Sequence, residues 1–368
     1  MMTKQLMTRS APPETPVDGV GLADHVSPAA STADDSLDPV LARLAASFAA
    51  AGHQLYLVGG AVRDRLLGRP SPDLDLTTDA LPAEVRRLAR DVQPDAMHGV
   101  GEKFGTIGLV FAGRNIEITT FRGEQYERGS RKPRVQYGVS LAEDLARRDF
   151  TINAMARDLA GELVDPYGGL ADLRAGLIRA VGVPRERFAE DPLRLLRAVR
   201  FAAQLGFRLH PETRRAIGTE ATLLRTISRE RVADELNKIL VSPRPALGVR
   251  LTVSLGLMRY IIPEVLTLSG VSQRPMHHKD VFEHTLGVIE NTPPDLLLRW
   301  AALLHDIAKP RTKSVRDGQV HFFGHDEVGA RMARRILNGL RFDHSFIRRV
   351  TKLVRMHLRV NSYASTWT

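Results

Sequence analysis

Residues Leu55–Thr78, LYLVGGAVRDRLLGRPSPDLDLTT, join a short apolar run to a Gly-Gly pair, an Arg-Asp pair and two carboxylates spaced i, i+2. The run Leu55, Tyr56, Leu57, Val58 reads as a buried strand. Gly59 and Gly60 then let backbone approach a bulky ligand with no Cβ in the way. A helix is expected from about Ala61 to Leu67, its first turn aiming free N–H groups and the positive end of its dipole at an anion, with Arg63 adding a full charge. Asp73 and Asp75 alternate with Leu74 and Leu76, so on a strand both acids share one face while both leucines point to the core. Paired acids on one face can hold a divalent cation. Taken singly, a Gly-Gly turn and an Asp-Leu-Asp strand are ordinary; their coincidence is not. A dinucleotide fold is disfavoured because GxGxxG is missing here.

Four more segments follow in order: RNIEITTFR (114–122), EDLARRDFTINAMA (143–156), VDPYGGLADL (164–173) and EDPLRLLRAVRFAAQLGF (190–207). With the opening stretch they resemble the motifs of the polymerase-β-like nucleotidyltransferases, in particular the family of class II tRNA nucleotidyltransferases and bacterial poly(A) polymerases. The resemblance covers about residues 53–265. It implies an α+β fold: a polymerase-β-like nucleotidyltransferase head with a small mixed sheet, an all-α neck and body, and behind them an HD-like helical domain. The corresponding boundaries are 1–36 for a disordered extension rich in Pro, Ala, Ser, Thr and Asp, 37–175 for the head, 176–265 for the neck and body, and 266–368 for the helical domain. Met2 and Met7 are alternative starts. The chain is expected to continue beyond NSYASTWT.

Composition fits a polyanionic partner. In 368 residues, 52 Lys plus Arg against 42 Asp plus Glu leave a formal charge of +10, which favours contact with phosphates. The absence of cysteine excludes disulfides, thiolate metal sites and a Cys nucleophile. No run approaches a membrane span and no signal-peptide core is present, so a cytoplasmic protein without membrane contact or an obligate protein partner is expected.

The resemblance also implies a reaction: a tRNA 3′ hydroxyl attacks the α-phosphorus of ATP or CTP and pyrophosphate leaves. Asp73 and Asp75 would bind Mg2+ by two-metal logic. Glu117, in the alternating strand Ile116–Thr119, matches the family's third acid, or is a solvated strand residue. Gly59, Gly60, Arg63 and Asp64 belong to the nucleotide seat. Arg147, Arg148 and Asp149 precede Phe150 and an expected helix carrying Ile152 and Met155; by resemblance Arg148 contacts phosphates or sugar, Asp149 favours ribose, and Asn153 stabilises the turn.

The segment Glu190–Gln204 matters because such enzymes select a nucleotide without a nucleic-acid template. Asp191 followed by Pro192 reads as an N-cap with proline at N1. Arg194, Arg197 and Arg200 recur every three residues, and like charges so placed repel unless an anion is near. Leu193, Leu196 and Ala203 cover another side. The family's EDxxR element, matched by Glu190, Asp191 and Arg194, implies hydrogen bonding to the base edge of CTP or ATP, with Arg197 and Arg200 holding the triphosphate. ISRERVADELNKIL (227–240) resembles a helix-stabilising motif, with a cap at Ser228 and Arg231 and Glu235 at salt-bridge spacing.

A second constellation comprises His284, His305-Asp306, His325-Asp326 and His357. It resembles the HD phosphohydrolases, and His284, His305, Asp306 and His325 form a candidate site for a second divalent metal. The alternative is a degenerate helical scaffold for tRNA. His277 and His278 read as ordinary surface residues. Within the family, Gly101-Glu102-Lys103-Phe104-Gly105-Thr106 lacks the basic run of poly(A) polymerases, which favours tRNA repair. The loop Glu124–Val139 resembles the element lost in CC-only enzymes, which places CCA addition first and A-only addition second. Two readings from other classes are a metal-dependent phosphohydrolase with a nucleotide-binding head and a noncatalytic RNA-binding protein.

Overall fold

The computed structural model describes residues 39–359 apart from 72, 100, 126–133 and 273–279. The expectations for residues 1–36, for His277 and His278, and for the centre of the Glu124–Val139 loop lie outside the described residues.

The head is built from α1 (Pro39–Ala50), β1 (Leu55–Val58), α2 (Gly60–Leu66), β2 (Leu74–Thr78), α3 (Pro82–Asp91), β3 (Ala96–His98), β4 (Thr106–Phe111) and β5 (Arg114–Thr120). It continues through a β6 (Arg122–Gln125) and β7 (Arg134–Tyr137) ribbon, α4 (Leu141–Ala146), β8 (Ala156–Asp158) and β9 (Leu163–Val164). Seven strands form one sheet in the order β3-β4-β5-β2-β1-β8-β9. It is mixed: β2 and β5 run parallel, while the other neighbours are antiparallel. Alternation in β2 buries Leu74 and Leu76 and leaves Asp75 facing out. In β5 it buries Ile116 and Ile118 and leaves Glu117 exposed. The helix after the Gly-Gly turn forms over Gly60–Leu66, close to the expected span.

One expected helix is absent. After Phe150 the chain makes a single 3-10 turn, Thr151–Asn153, and enters β8. The apolar spacing of Ile152 and Met155 arises because both are fully buried, not from a helical period. Pairing of Ala156–Asp158 with β1 takes the chain into the sheet instead.

α5 (Gly169–Arg174) closes the head; beyond it β10 (Leu177–Ile178), α6 (Pro184–Glu190), α7 (Arg194–Leu205), β11 (Arg208–Leu209), α8 (Pro211–Glu220), α9 (Arg229–Leu240), α10 (Pro245–Ser254) and α11 (Met258–Ile261) form the neck and body. The last part comprises α12 (Val281–Asn291), α13 (Leu296–Leu304), α14 (Lys309–Thr312), a β12 (Ser314–Arg316) and β13 (Gln319–His321) hairpin, α15 (His325–Gly339) and α16 (His344–Met356). One apolar cluster runs from Leu41 through the sheet and neck to Val354. Among the described residues no helix is long and apolar enough to cross a membrane.

Gly169 shows how tightly α5 is seated on the head. A Cβ there would lie 2.2 Å from the Thr151 carbonyl oxygen and 2.8 Å from Met155 Cγ. Gly169→Ala is expected to destabilise by about 1–3 kcal/mol. In urea denaturation the control Gly218→Ala, which meets nothing within 4 Å, should match or exceed the wild-type midpoint.

Candidate active site

The two acid strands meet in register. Asp75 on β2 is the parallel partner of Glu117 on β5, so their side chains leave the same face about one strand spacing apart. Asp73 lies just before β2 and accepts a hydrogen bond from Asn115 Nδ2 at 3.3 Å. The three carboxylates line an open cleft of about 810 Å3 whose wall includes His98, Phe104, Thr106 and Arg122. Desolvation in the cleft raises the pKa of Asp75, the nearby Arg148 opposes that shift, and Asp73 adds to it. Glu117 is raised by desolvation and then by Asp75 and Asp73. A cluster of oxygen donors whose mutual repulsion disfavours ionisation suits a hard divalent cation.

The glycine turn adjoins this cleft. Gly59 caps α2 with φ 66°, and a Cβ there would come within 2.7 Å of an Arg148 guanidinium nitrogen. Glycine is therefore required twice, by backbone conformation and by the arginine passing over it. Arg148 is held by Asp144 at 3.5 Å. Burial pushes its guanidinium below the usual range, which Asp144 opposes.

Arg63 is placed differently from the expectation of a free charge at the helix start. It is buried, donates to both carboxylate oxygens of Asp64 at 2.9 and 2.8 Å, and reaches Asn153 Oδ1 at 2.7 Å. Asp149 is likewise saturated. Its Oδ1 accepts from Phe150 N–H at 2.9 Å and Asn153 Nδ2 at 3.0 Å, and its Oδ2 accepts from Arg197 Nε at 2.7 Å. Burial alone would raise the Asp149 pKa, but Arg197 and Asn153 reverse this and hold it low. As folded, Arg63, Asn153 and Asp149 form a brace between α2 and α7.

The arginine stripe of α7 carries a further correction. Three carboxylates from elsewhere in the chain already balance it: Arg194 meets Glu190 at 2.8 Å, Arg197 meets Asp149 and Arg200 meets Glu235 at 3.0 Å. Arg194 also donates to the carbonyls of Arg187 and Arg147. Arg63, Arg197 and Arg200 all lie over the Phe201 ring, at 5.1, 5.5 and 4.4 Å. The repulsion expected of the triplet is thus relieved inside the protein, and any triphosphate would have to compete with those carboxylates. Asp191 is not the N-cap expected of it: it ends α6, regular helix begins at Arg194 with Leu193 at the N-cap, and Asp191 Oδ1 accepts the Leu193 N–H at 3.1 Å within the connecting turn.

Ser228 caps α9 as expected, but the Arg231–Glu235 pair does not form. Arg231 turns to Asp191 at 3.1 Å, and buried Glu235 serves Arg200 and Lys238. Sequence reasoning missed this role for Glu235. The signal was there: Val232, Leu236 and Ile239 define the buried face of α9, and an acid on that face needs a cation.

The second constellation closes into one centre. His284 comes from α12, His305 and Asp306 from the end of α13, His325 from the start of α15 and His357 from the end of α16. Two donor groups share the Asp306 carboxylate: His284, His305 and Asp306 on one side, and Asp306, His325 and His357 on the other. His357, left out of the predicted metal set, belongs to it, whereas Asp326 belongs to neither group. Lys309, also missed although its i+3 spacing from Asp306 was legible, pairs with Asp306 at 2.7 Å.

The histidine tautomers follow from their partners. Nδ1 of His305, His325 and His357 lies 2.7–2.8 Å from the carbonyls of Ala302, Phe322 and Val354. A carbonyl only accepts, so each Nδ1 donates to it and each Nε2 is left to face the centre. Those Nε2 atoms meet in close pairs, His305 with His284 at 3.3 Å and His325 with His357 at 3.2 Å. Imidazole nitrogens gathered in two groups around one carboxylate form a donor set that fits a divalent metal. Burial lowers the pKa of His284 and His357, which Asp306 partly opposes. Beside the centre lies a second cleft, of about 420 Å3, along α12.

Sheet, glycine turn and in-register acids define a nucleotidyltransferase head. Three family matches agree: the poly A polymerase head domain over residues 55–179, the probable RNA and SrmB-binding site of polymerase A over 206–268, and the HD domain over 281–364. The chain belongs to the family of tRNA nucleotidyltransferases and bacterial poly(A) polymerases. It is 45% identical over 213 residues to the CCA-adding enzyme of Lactiplantibacillus plantarum, covering 58% of this chain and 51% of that protein. With the CCA-adding enzyme of Bacillus velezensis it shares 42% identity over 255 residues, covering 69% and 60%. The chain thus spans a little over half the length of these curated relatives. The Bacillus stearothermophilus CCA-adding enzyme in complex with CTP superposes with a TM-score of 0.68 at 32% identity, over 90% of this chain and 73% of that one. The Thermotoga maritima CCA-adding enzyme complexed with tRNA superposes at 0.62 and 25% identity, over 89% and 73%.

Glu235→Ala would leave the mostly buried Arg200 without its carboxylate, an expected loss of about 3–5 kcal/mol. Thermal denaturation should show a clear drop for Glu235→Ala and a smaller one for Glu235→Gln, which keeps a hydrogen-bond acceptor.

Proposed function

We propose that the chain adds CCA to the 3′ end of tRNA, using CTP and ATP without a nucleic-acid template. The observation that carries this reading is the Asp75–Glu117 register with Asp73 beside it, in a cleft walled by the family's motif residues. Asp73 and Asp75, with Glu117, would hold Mg2+. Bound there, Mg2+ would lower the pKa of the attacking hydroxyl and neutralise charge on the triphosphate.

The other roles fall to the protein. The Gly59–Gly60 backbone admits the phosphates, and Arg148, lying over Gly59 near Asp75, supplies a positive charge to them. Asp191 and Arg194 read the base edge, with Arg231 orienting the Asp191 carboxylate. Arg63, Asp64, Asn153, Asp149, Arg197 and Arg200 form the nucleotide seat largely by holding one another in place. The proposed division of labour is a head over 37–175, a base-reading and RNA-binding neck over 176–265 and an HD-like region over 266–368. The Gly101–Thr106 sequence places CCA addition ahead of poly(A) synthesis, and A-only addition is the nearest alternative.

The test is incubation with Mg2+ and a tRNA transcript ending at the discriminator base, supplying CTP, ATP or both, then sequencing product 3′ ends. CCA termini with both nucleotides are expected. Extension of CC-ended transcripts alone would instead mean A-only addition, and no incorporation on either primer would overturn the reading. Asp75→Asn should lower incorporation about 1000-fold or more, since it removes charge where the transition state needs it.

A second activity has its own observation, the Asp306-centred histidine pairs. We propose a divalent transition-metal site there that activates water for phosphate-ester hydrolysis. Titration calorimetry with Mn2+ or Ni2+ should detect binding that Asp306→Asn abolishes while leaving nucleotide incorporation intact. Because His284 and His357 have lowered pKa values, they remain neutral ligands somewhat below the usual imidazole range. Affinity should hold near pH 6.5 and fall at lower pH as protons displace the metal.

A further inference from the structure

The glycine turn and Arg148 occupy one side of the acid row and leave the other side open. Residues that pair directly across neighbouring strands share a face of the sheet. Asp75 pairs with Glu117, Glu117 with Gly108 and Gly108 with His98. From the β3 edge inwards the row therefore reads His98, Gly108, Glu117, Asp75, and the Gly59 turn lies past its far end, at the close of β1. Gly108 leaves a gap in this row. His98 and Glu117 stand two strand spacings apart, about 10 Å between Cα atoms, with no side chain between them. His98 is exposed, and it and Gly108 both line the cleft that holds the acids.

The two sides of the row differ in chemistry. Near Asp75 stands the Arg148 guanidinium, over the Gly59 turn, which suits phosphate. On the Gly108 side the cleft is bordered by Thr106, by the His98 imidazole and by Phe104, a large apolar ring left 39% exposed. Arg122 borders this side as well, and its guanidinium donates to the Phe104 carbonyl. A floor without a side chain, bordered by two flat rings, suits a ribose and base better than a polyphosphate. The direction of attack agrees. Displacement at phosphorus sets the attacking and leaving oxygens in line, on opposite sides. With the triphosphate over the Gly59–Gly60 turn, pyrophosphate leaves on the β1 side, and the attacking 3′ hydroxyl comes from the β5–β4 side, where Gly108 lies.

We propose that Gly108 is the floor of a seat for the terminal nucleoside of the acceptor RNA, with His98 and Phe104 as its stacking walls. The choice of occupant rests on the function proposed above; the gap in the row does not. Gly108→Val fills the floor. A Cβ at 108 would meet only His98, its Cβ at 3.7 Å and its carbonyl oxygen at 3.8 Å, which is ordinary contact. Valine also favours a strand, so the melting temperature should hold.

In Gly108→Val the KM for a CC-ended tRNA transcript should rise, while binding of a fluorescent ATP analogue in the absence of RNA should not move. His98→Ala should raise the same KM about tenfold, the scale of one lost base stack, and His98→Phe, which keeps a flat ring, should recover most of it. Unchanged primer KM in both Gly108→Val and His98→Ala would overturn the proposal. Weakened binding of the ATP analogue would also overturn it, by placing the incoming nucleotide on that floor, and no recovery in His98→Phe would overturn the stacking role. Photocrosslinking reads the seat without turnover. A transcript ending in 4-thiouridine should attach to a peptide bearing His98 or Phe104, and attachment only elsewhere would overturn the seat. If the wild type incorporates no nucleotide on any primer, the activity reading fails separately, while the crosslink still judges the seat.

Discussion

The part-buried bond between Asp149 and Arg197 is the interaction on which both halves of the candidate site depend. Asp149 belongs to the segment that closes the head sheet, and Arg197 to the helix that would read the base. Through Asn153 and Arg63 the same contact reaches the Gly59 turn. Removing the Arg197 charge would leave the Asp149 carboxylate buried without its cation. Phe201 lies within 5.5 Å of three guanidinium groups, adding cation–π attraction to the ion pairs. The Gly59 turn beside the acid cleft and helix α7 are therefore parts of one polar assembly.

Much of this was legible in the sequence, and the reasons are local. Asp73 and Asp75 announced their face because strand alternation fixes it, and the alternation of β5 did the same for Glu117. The position of Gly59 followed from a tight turn between an apolar strand and a helix. What the sequence could not convey was partnership across long separations. Arg197 and Asp149 are 48 positions apart and Arg231 and Asp191 are 40 apart, so the α7 arginines looked unbalanced until the fold supplied their carboxylates. The i, i+4 spacing of Arg231 and Glu235 was misleading for the same reason: tertiary partners outcompeted the local one. After Phe150, burial on every side mimicked helical periodicity, and strand pairing with β1 decided the outcome.

Two electrostatic regimes coexist in the chain. Along α7, Arg194, Arg197 and Arg200 are each paired with a carboxylate and range from buried to one-third exposed, so they hold groups in fixed orientation. On the α15–α16 hairpin the arginines are exposed and in excess, so their influence is long-ranged and weakened by salt. The formal charge of +10 therefore says little about the cleft and more about the outer helices. The HD centre belongs to neither regime. Burial lowers the pKa of His284 and His357, backbone carbonyls orient His305, His325 and His357, and Asp306 carries the local negative charge with Lys309 against it.

The continuity of the apolar core has a consequence for synthesis. Trp300, Leu303 and Leu304 on α13 are fully covered, and Trp300 packs edge-on against Phe342 between α15 and α16. The helices that cover α13 include α16, which ends at Met356, some fifty residues later. At bacterial-scale translation rates of roughly 5–20 residues per second, α13 waits about 3–10 s for that cover. During this interval a tryptophan-bearing apolar helix is exposed on an otherwise folding chain. The nascent chain thus carries its exposed apolar helix through an interval that falls after the strands of the nucleotidyltransferase head have all been made.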